Sequence, residues 1–303
     1  MRSVIRRSFM KTVVLALFGL SIGGVNAHAE FLVALGSTNT LNNALVTFDS
    51  ATPTTTSGVI GVTGVSGTLL AIDQRPADGL LYGLSSNGGV YRINDTSGVA
   101  TLASTINTSL TGTQFAADFN PVVDRFRVIS NTGQNFIINV DNGTTTINSN
   151  LNVTNAVSNA YTNNFNGTKA TTLFDLTYNG PQFFLNTQVG ATGVLTPVGA
   201  TGISSLSSLV GFDITGTGTA FVATNASAGI DGNVVNLATI DLTTGNISSN
   251  SAVLGNAYGF QLRDLAGSVG ASAAVPEPAS VAMLGLGLIG AGVVARRRGT
   301  RSN

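Results

Sequence analysis

One segment type recurs five times in this chain, and that recurrence limits the fold more than any other feature of the sequence. Short apolar runs close on a polar residue at Leu69–Asp73, Gln114–Asp118, Ala160–Asn164, Leu209–Asp213 and Ala257–Gln261, so Asp73, Asp118, Asn164, Asp213 and Gln261 are spaced 45 to 49 residues apart. The third residue of each copy is small: Ala71, Ala116, Thr162, Gly211 and Gly259. Further strand-like runs follow each copy, such as Leu80–Leu84, Gly89–Ile93 and Val99–Ala103 after the first. Turns of the Asn-Gly and Asp-x-x-Gly kind separate them, including Ser86-Asn87-Gly88, Asp95-Thr96-Ser97-Gly98 and Asp141-Asn142-Gly143. Alternating β-branched runs with this punctuation predict hairpins, and four strands per period is the repeat of a propeller blade.

The ends of the domain fit the same scheme. Phe31–Leu35, Ala44–Phe48 and Gly58–Val62 supply three strands without an innermost one, and Ala257–Leu262 supplies an innermost strand with nothing after it. Joined, they predict a closing blade built from both termini, which removes exposed sheet edges. The expected architecture is all-β: a β-propeller of five four-stranded blades, its small third column crowding the axis. A β-sandwich or an open solenoid is the alternative.

Charge and rare residues exclude several functions. From Glu30 to Gly270 six basic residues face thirteen acids, a net charge of −7; without a basic stripe to reverse that field, nucleic acid is not an expected partner. Cysteine is absent and the single histidine is His28. Imidazole triads, thiolate nucleophiles and Cys/His zinc centres are therefore excluded downstream of it.

The two ends read as export machinery. Arg2, Arg6, Arg7 and Lys11 precede an apolar run from Thr12 to Val25, and Ala27-His28-Ala29 follows. That order predicts a secretory signal peptide over 1–29, with Ala27 and Ala29 read by signal peptidase. The domain occupies 30–266 and a small-residue linker 267–274. The stretch 275–303 then carries Pro276-Glu277-Pro278, an apolar run over 279–295 and the cluster Arg296-Arg297-Arg298. The run reaches the lower limit of a membrane span and the arginines would stay cytoplasmic. This tail resembles the PEP-CTERM sorting signal of Gram-negative bacteria. The resemblance implies an exosortase-type protease as partner, cleavage near Pro276-Glu277-Pro278, membrane contact only through this helix before processing, and delivery to the outer surface or extracellular matrix.

Within the domain, Asp118-Phe119-Asn120-Pro121-Val122-Val123-Asp124-Arg125-Phe126-Arg127 and its continuation to Asn135 are similar to the signature of the domain-of-unknown-function family 4394. So are Arg75-Pro76-Ala77-Asp78-Gly79-Leu80-Leu81-Tyr82-Gly83-Leu84 and Ala160–Asn164. The resemblance spans most of residues 31–265 and implies no activity or catalytic residues. Asn163-Asn164-Phe165-Asn166-Gly167 departs from it, lacking the Pro-x-x-Asp turn of the preceding repeats.

Two residue groups invite a chemical reading. Asp73, Asp118, Asn164, Asp213 and Gln261, at equivalent places, are expected to ring one mouth of the axial channel, an oxygen set suited to Ca²⁺; otherwise they cap the turns that follow them. Asp124, Arg125 and Arg127 form the second group, suited to gripping a carboxylate or an acidic polysaccharide or to bridging neighbouring blades. The expected function is an exported binding or scaffold module, with extracellular polysaccharide as its partner and no cofactor other than that calcium. A calcium-dependent hydrolase of lactones, sugars or esters is the alternative.

Overall fold

The computed structural model describes residues 29–205, 207–226, 233–248, 252–254 and 259–270. Among them, twenty strands form five four-stranded antiparallel sheets arranged as a five-bladed propeller, with no helix. The stretch up to His28, nearly all of the expected signal peptide 1–29, and the tail from Ala271, including the apolar run 279–295, lie outside the described residues. Among the described residues no helix is long and apolar enough to cross a membrane.

Blade 1 closes the ring. It joins β1 (Phe31–Ser37), β2 (Ala44–Asp49) and β3 (Ile60–Gly61) to the last strand, β20 (Gln261–Gly267), in the order β20-β1-β2-β3. Blade 2 comprises β4 (Leu69–Gln74), β5 (Leu81–Ser85), β6 (Gly89–Ile93) and β7 (Ala100–Thr105). Blade 3 comprises β8 (Phe115–Asn120), β9 (Arg125–Ser130), β10 (Asn135–Ile138) and β11 (Thr145–Ile147). Blade 4 runs β12 (Ala156–Tyr161), β13 (Leu173–Asn179), β14 (Gln182–Val189) and β15 (Val194–Ser204); blade 5 runs β16 (Val210–Ile214), β17 (Ala220–Asn225), β18 (Val235–Thr239) and β19 (Ala252–Val253). Each innermost strand packs against the next around the axis: β4 on β8, β8 on β12, β12 on β16, β16 on β20 and β20 on β4.

The core is divided between blades, because radial sheets bury both faces against their neighbours. Leu32, Val46, Phe221 and Leu262 pack between blades 5 and 1, while Val33, Leu45, Ile72 and Tyr91 pack between blades 1 and 2. Tyr82, Phe119, Phe126 and Phe136 fill the space between blades 2 and 3. There Phe119 stacks on Phe126 at 4.6 Å and meets Tyr82 edge-on at 5.4 Å. Between blades 3 and 4 the apolar set is small, built on Ala116, Ile129, Leu151, Ala156 and Leu195.

Turn glycines complete the outer contacts. Gly143, in the Asp-Asn-Gly turn of blade 3, has a φ of +77°, and a Cβ there would collide with the Thr105 carbonyl oxygen at the rim of blade 2. The residue supplies both the left-handed turn and the close approach of two blades.

The innermost register corrects the sequence expectation in blades 4 and 1. The fifth innermost strand is Gln261–Gly267, later than the expected 257–262; Gly259 precedes it in a left-handed turn and Thr162 follows β12. Neither shares the position of Ala71, Ala116 and Gly211. Matching bulges between Ala156 and Ser158 in blade 4 and between Leu69 and Ala71 in blade 2 set Ser158, not Thr162, level with Ala71, and blade 1 skips Arg263 opposite Leu35 and Gly36. The small column also has a different cause from axial crowding. A Cβ on Gly211 would sit 2.5 Å from Leu265 Cβ, so small residues admit the innermost strand of the next blade.

Candidate functional site at the propeller axis

The innermost strands place four carboxylates at one level of the axis. Asp73, Asp118, Asp213 and Asp264 are 1, 2, 1 and 3% exposed. Each faces the following blade, and each accepts a main-chain N–H from it. Asp264 Oδ2 takes Ile72 N at 2.9 Å, Asp73 Oδ2 takes Phe119 N at 2.8 Å and Asp118 Oδ1 takes Tyr161 N at 3.2 Å. Asp213 Oδ2 takes Gly267 N. The second oxygens of Asp73, Asp213 and Asp264 accept the N–H of their own following residue, Gln74, Ile214 and Leu265. Blade 4 has Ala160 at this place, since Tyr161 N meets Asp118 as Phe119 N meets Asp73.

Electrostatics at this belt are set by burial. Asp73, Asp118 and Asp264 are held well above the ordinary carboxylate range, first by loss of hydration and then, for Asp73 and Asp118, by neighbouring carboxyls. Burial lifts Asp213 to about 6 against the main-chain bonds that lower it. The Asp213 carboxyl beside Asp118 lifts Asp118 further. Asp73, Asp118 and Asp213 each bring an oxygen within 4.8 Å of the others. Such a cluster is balanced either by retained protons or by a divalent cation with oxygen ligands.

Two residues of the expected ring stand apart from this cluster. Gln261 opens β20 opposite Ser37, three residues before Asp264 and so about 10 Å away along the strand. Asn164 lies beyond the end of β12; it is fully buried, and its carboxamide oxygen and nitrogen have no hydrogen-bond partner. Its carbonyl accepts Gly270 N at 2.8 Å. The segment after β20 crosses this end of the channel: Ser268 N bonds the Phe31 carbonyl at 2.9 Å and Gly216 N bonds the Ser268 carbonyl at 2.8 Å. Glu30 secures it, accepting from Ser268 Oγ at 2.7 Å and from Thr217 Oγ1.

The other end of the axis is open. A cavity of about 150 Å³ is lined by a segment from every blade: Arg263 of blade 1, Thr68 and Leu70 of blade 2, and Thr113, Gln114 and Phe115 of blade 3. Val157 of blade 4 and Leu209 and Val210 of blade 5 complete the wall. Arg263 donates to the Leu69 carbonyl at 2.7 Å and to the Asn42 carbonyl at 3.4 Å, while Gln114 Nε2 donates to Ser208 Oγ at 2.6 Å. Sequence reasoning missed this mouth, because its lining comes from strand starts far apart in the chain.

The group Asp124, Arg125 and Arg127 separates into three environments. Asp124, at a φ of +51°, turns to blade 2 and takes two bonds from Arg75, Nε to Oδ1 at 2.8 Å and Nη2 to Oδ2 at 2.6 Å. Arg75 also grips Asp141 at 2.9 and 3.0 Å, and these partners raise its pKa while lowering that of Asp141. Arg125 is half-buried and donates to the Val123 and Asp124 carbonyls. Arg127 is buried between blades 3 and 4, where it donates to Tyr161 Oη at 2.6 Å, to Asn135 Oδ1, to Asn148 Oδ1 at 3.2 Å and to the Gly190 carbonyl at 3.0 Å. The turn after β8 is capped by Asn120, which accepts Val122 N and Val123 N, rather than by Asp118. Nearby, Asp175 is raised by burial, partly offset by Arg127, and the Gln188 amide in its satisfied orientation donates to both of its oxygens at 3.0 and 2.6 Å.

Two family models match separate stretches of the chain. No curated protein matches it in sequence. Among solved structures, it is similar to a chain of a nidogen/laminin complex at 8% identity, with a TM-score of 0.47, covering 80% of this chain and 98% of that one. It is similar also to the WD40 domain of Toxoplasma gondii coronin at 13% identity, with a TM-score of 0.39, covering 75% of this chain and 57% of that one. A PEP-CTERM protein-sorting motif matches residues 274–298. That motif is a sorting signal recognised by an exosortase, and it marks the chain for export and sorting at the cell envelope. The family described as "Domain of unknown function (DUF4394)" matches residues 44–266, nearly the whole propeller, and the chain belongs to it.

Proposed function

We propose that this propeller is a non-enzymatic binding and scaffold module, sorted by an exosortase to the outer surface or extracellular matrix of a Gram-negative cell, where it engages extracellular polysaccharide. The observation that carries this reading is the union of the sorting motif with a closed propeller whose axial mouth draws one wall segment from each blade. The belt carboxylates support it too. Their oxygens accept main-chain N–H groups across four of the five junctions between blades, a role in holding the ring together. Cosedimentation of the full chain with the exopolysaccharide of its own host tests the proposal. Retention with the polymer is expected, and failure to bind any envelope polymer overturns it.

A second reading of the belt rests on the mutual approach of Asp73, Asp118 and Asp213, whose oxygens are spaced as ligands of one Ca²⁺ would be. In that reading the ion takes over the charge balance from the retained protons, and chelation lowers the stability of the ring.

A further inference from the structure

The open mouth differs from the rest of the domain in charge. Arg263 is its one ionisable lining residue, set in a domain of net charge −7. Among the described residues no carboxylate stands within ion-pair distance of it; the ion pairs present all belong to Arg75. Its sequence neighbour Asp264 is engaged by the amides of Ile72 and Leu265. Two main-chain carbonyls fix the guanidinium in place and use two of its five N–H donors. Burial disfavours its charge and pulls its pKa down, so an anion in the cavity would meet a positioned, under-neutralised cation.

We propose that the axial mouth holds one carboxylate-bearing sugar unit, a uronic acid residue of an extracellular polysaccharide, with Arg263 on the carboxylate. The proposal rests on the reading of the propeller as a polysaccharide-binding module and names the unit it recognises. Size agrees: a volume of about 150 Å³ has room for roughly a dozen non-hydrogen atoms, on the scale of one hexuronate ring. The walls are mixed in the way a sugar needs. Thr68 and Thr113 bring hydroxyls, and Gln114 keeps its Oε1 as an acceptor after donating to Ser208. Leu70 and Phe115 bring apolar surface for the C–H face of the ring. A singly charged carboxylate fits one guanidinium, whereas a phosphate dianion would add uncompensated charge close to the aspartate belt.

Titration calorimetry of the full chain with D-galacturonate, D-glucuronate, D-galactose, D-glucose and inorganic phosphate tests this. The two uronates should bind at least tenfold more tightly than the neutral sugars and than phosphate. Arg263→Gln should remove that preference. Because Arg263 also holds two carbonyls, a second variant guards against misfolding: Thr113→Trp, on the exposed rim, gives up only the bond its hydroxyl accepts from Asn131 Nδ2 at 2.9 Å and should block the mouth and abolish uronate binding while a cooperative melt is retained. Equal affinity for neutral sugars, a preference for phosphate, or full uronate binding by Thr113→Trp would each overturn the proposal. Retention on host polymer with no uronate binding overturns this inference alone; uronate binding without retention on any polymer overturns the broader reading alone.

Discussion

Arg75 and Asp124 are joined by two parallel hydrogen bonds of 2.8 and 2.6 Å across 49 positions of the chain, one residue from each of two of the three segments that carry the family signature. The pair pins the turn after β8 to the turn after β4, and Asp141 extends it to the next hairpin of blade 3. Side-chain exposures of 9% for Arg75 and 37% for Asp124 place it at the boundary between buried and screened pairs.

Arg75→Met should therefore destabilise the domain by about 1–2 kcal/mol, a value discounted for the solvent that reaches Asp124 and Asp141. Arg75→Lys should recover less than half of the loss, since an ammonium cannot make the paired bonds. Urea denaturation of the three proteins checks both statements.

The belt gives the protein a stability that falls as pH rises. Asp73, Asp118, Asp213, Asp264 and Asp175 are all raised in the folded state, so folding favours their protonated forms. Their contribution is present below the unfolded carboxylate value of about 4 and is lost as pH climbs through the folded values, about 6 for Asp213. The melting temperature should decline between pH 5 and pH 8, and Asp213→Asn should flatten part of that decline. Calcium separates the two readings of the belt: a rise in melting temperature at pH 8 on adding it, reversed by chelator, supports the ion, and an unchanged curve supports protons.

Ring closure should depend on Asp264. Removing its carboxylate strands two buried amides, Ile72 N and Leu265 N. Asp264→Ala should cost about 2–4 kcal/mol, whereas Ala160→Ser, which buries a hydroxyl in the apolar cluster of blades 4 and 5, should cost about 1–3 kcal/mol. Chemical denaturation measures both.

At the outer rim, Gly143→Ala should cost about 2 kcal/mol or more, because the new methyl meets the Thr105 carbonyl and the left-handed backbone disfavours any Cβ. Gly79→Ala offers the control. It shares a positive φ but has open space where a Cβ would sit, so its loss should stay near 1 kcal/mol. Thermal melts of the two variants give the comparison.

The hairpins were legible in the sequence because their signals are local: turn residues and alternation lie within a few positions of one another. Blade number and terminal closure followed from them. The register of the innermost strands was not legible in blades 4 and 1. A fixed five-residue template put the polar position at Asn164 and Gln261, four residues after Ala160 and three before Asp264, whereas pairing with the second strand of each blade sets the actual level. The Leu262-Arg263-Asp264-Leu265 run did carry a signal, an acid followed by a large apolar residue as Asp118 is by Phe119. Nothing local marked the mouth, where Thr68, Gln114 and Arg263 meet only after five strands have closed on one axis.

Ser268, Gly270 and Glu30 all gather at the end of the channel away from the cavity, where Ser268 and Gly270 are held to Phe31, Gly216 and Asn164. The chain thus leaves the domain toward its sorting motif from the face opposite the cavity. The last described residues and the Arg263 mouth occupy opposite ends of the axis, so contacts made by one leave the other's surface uncovered.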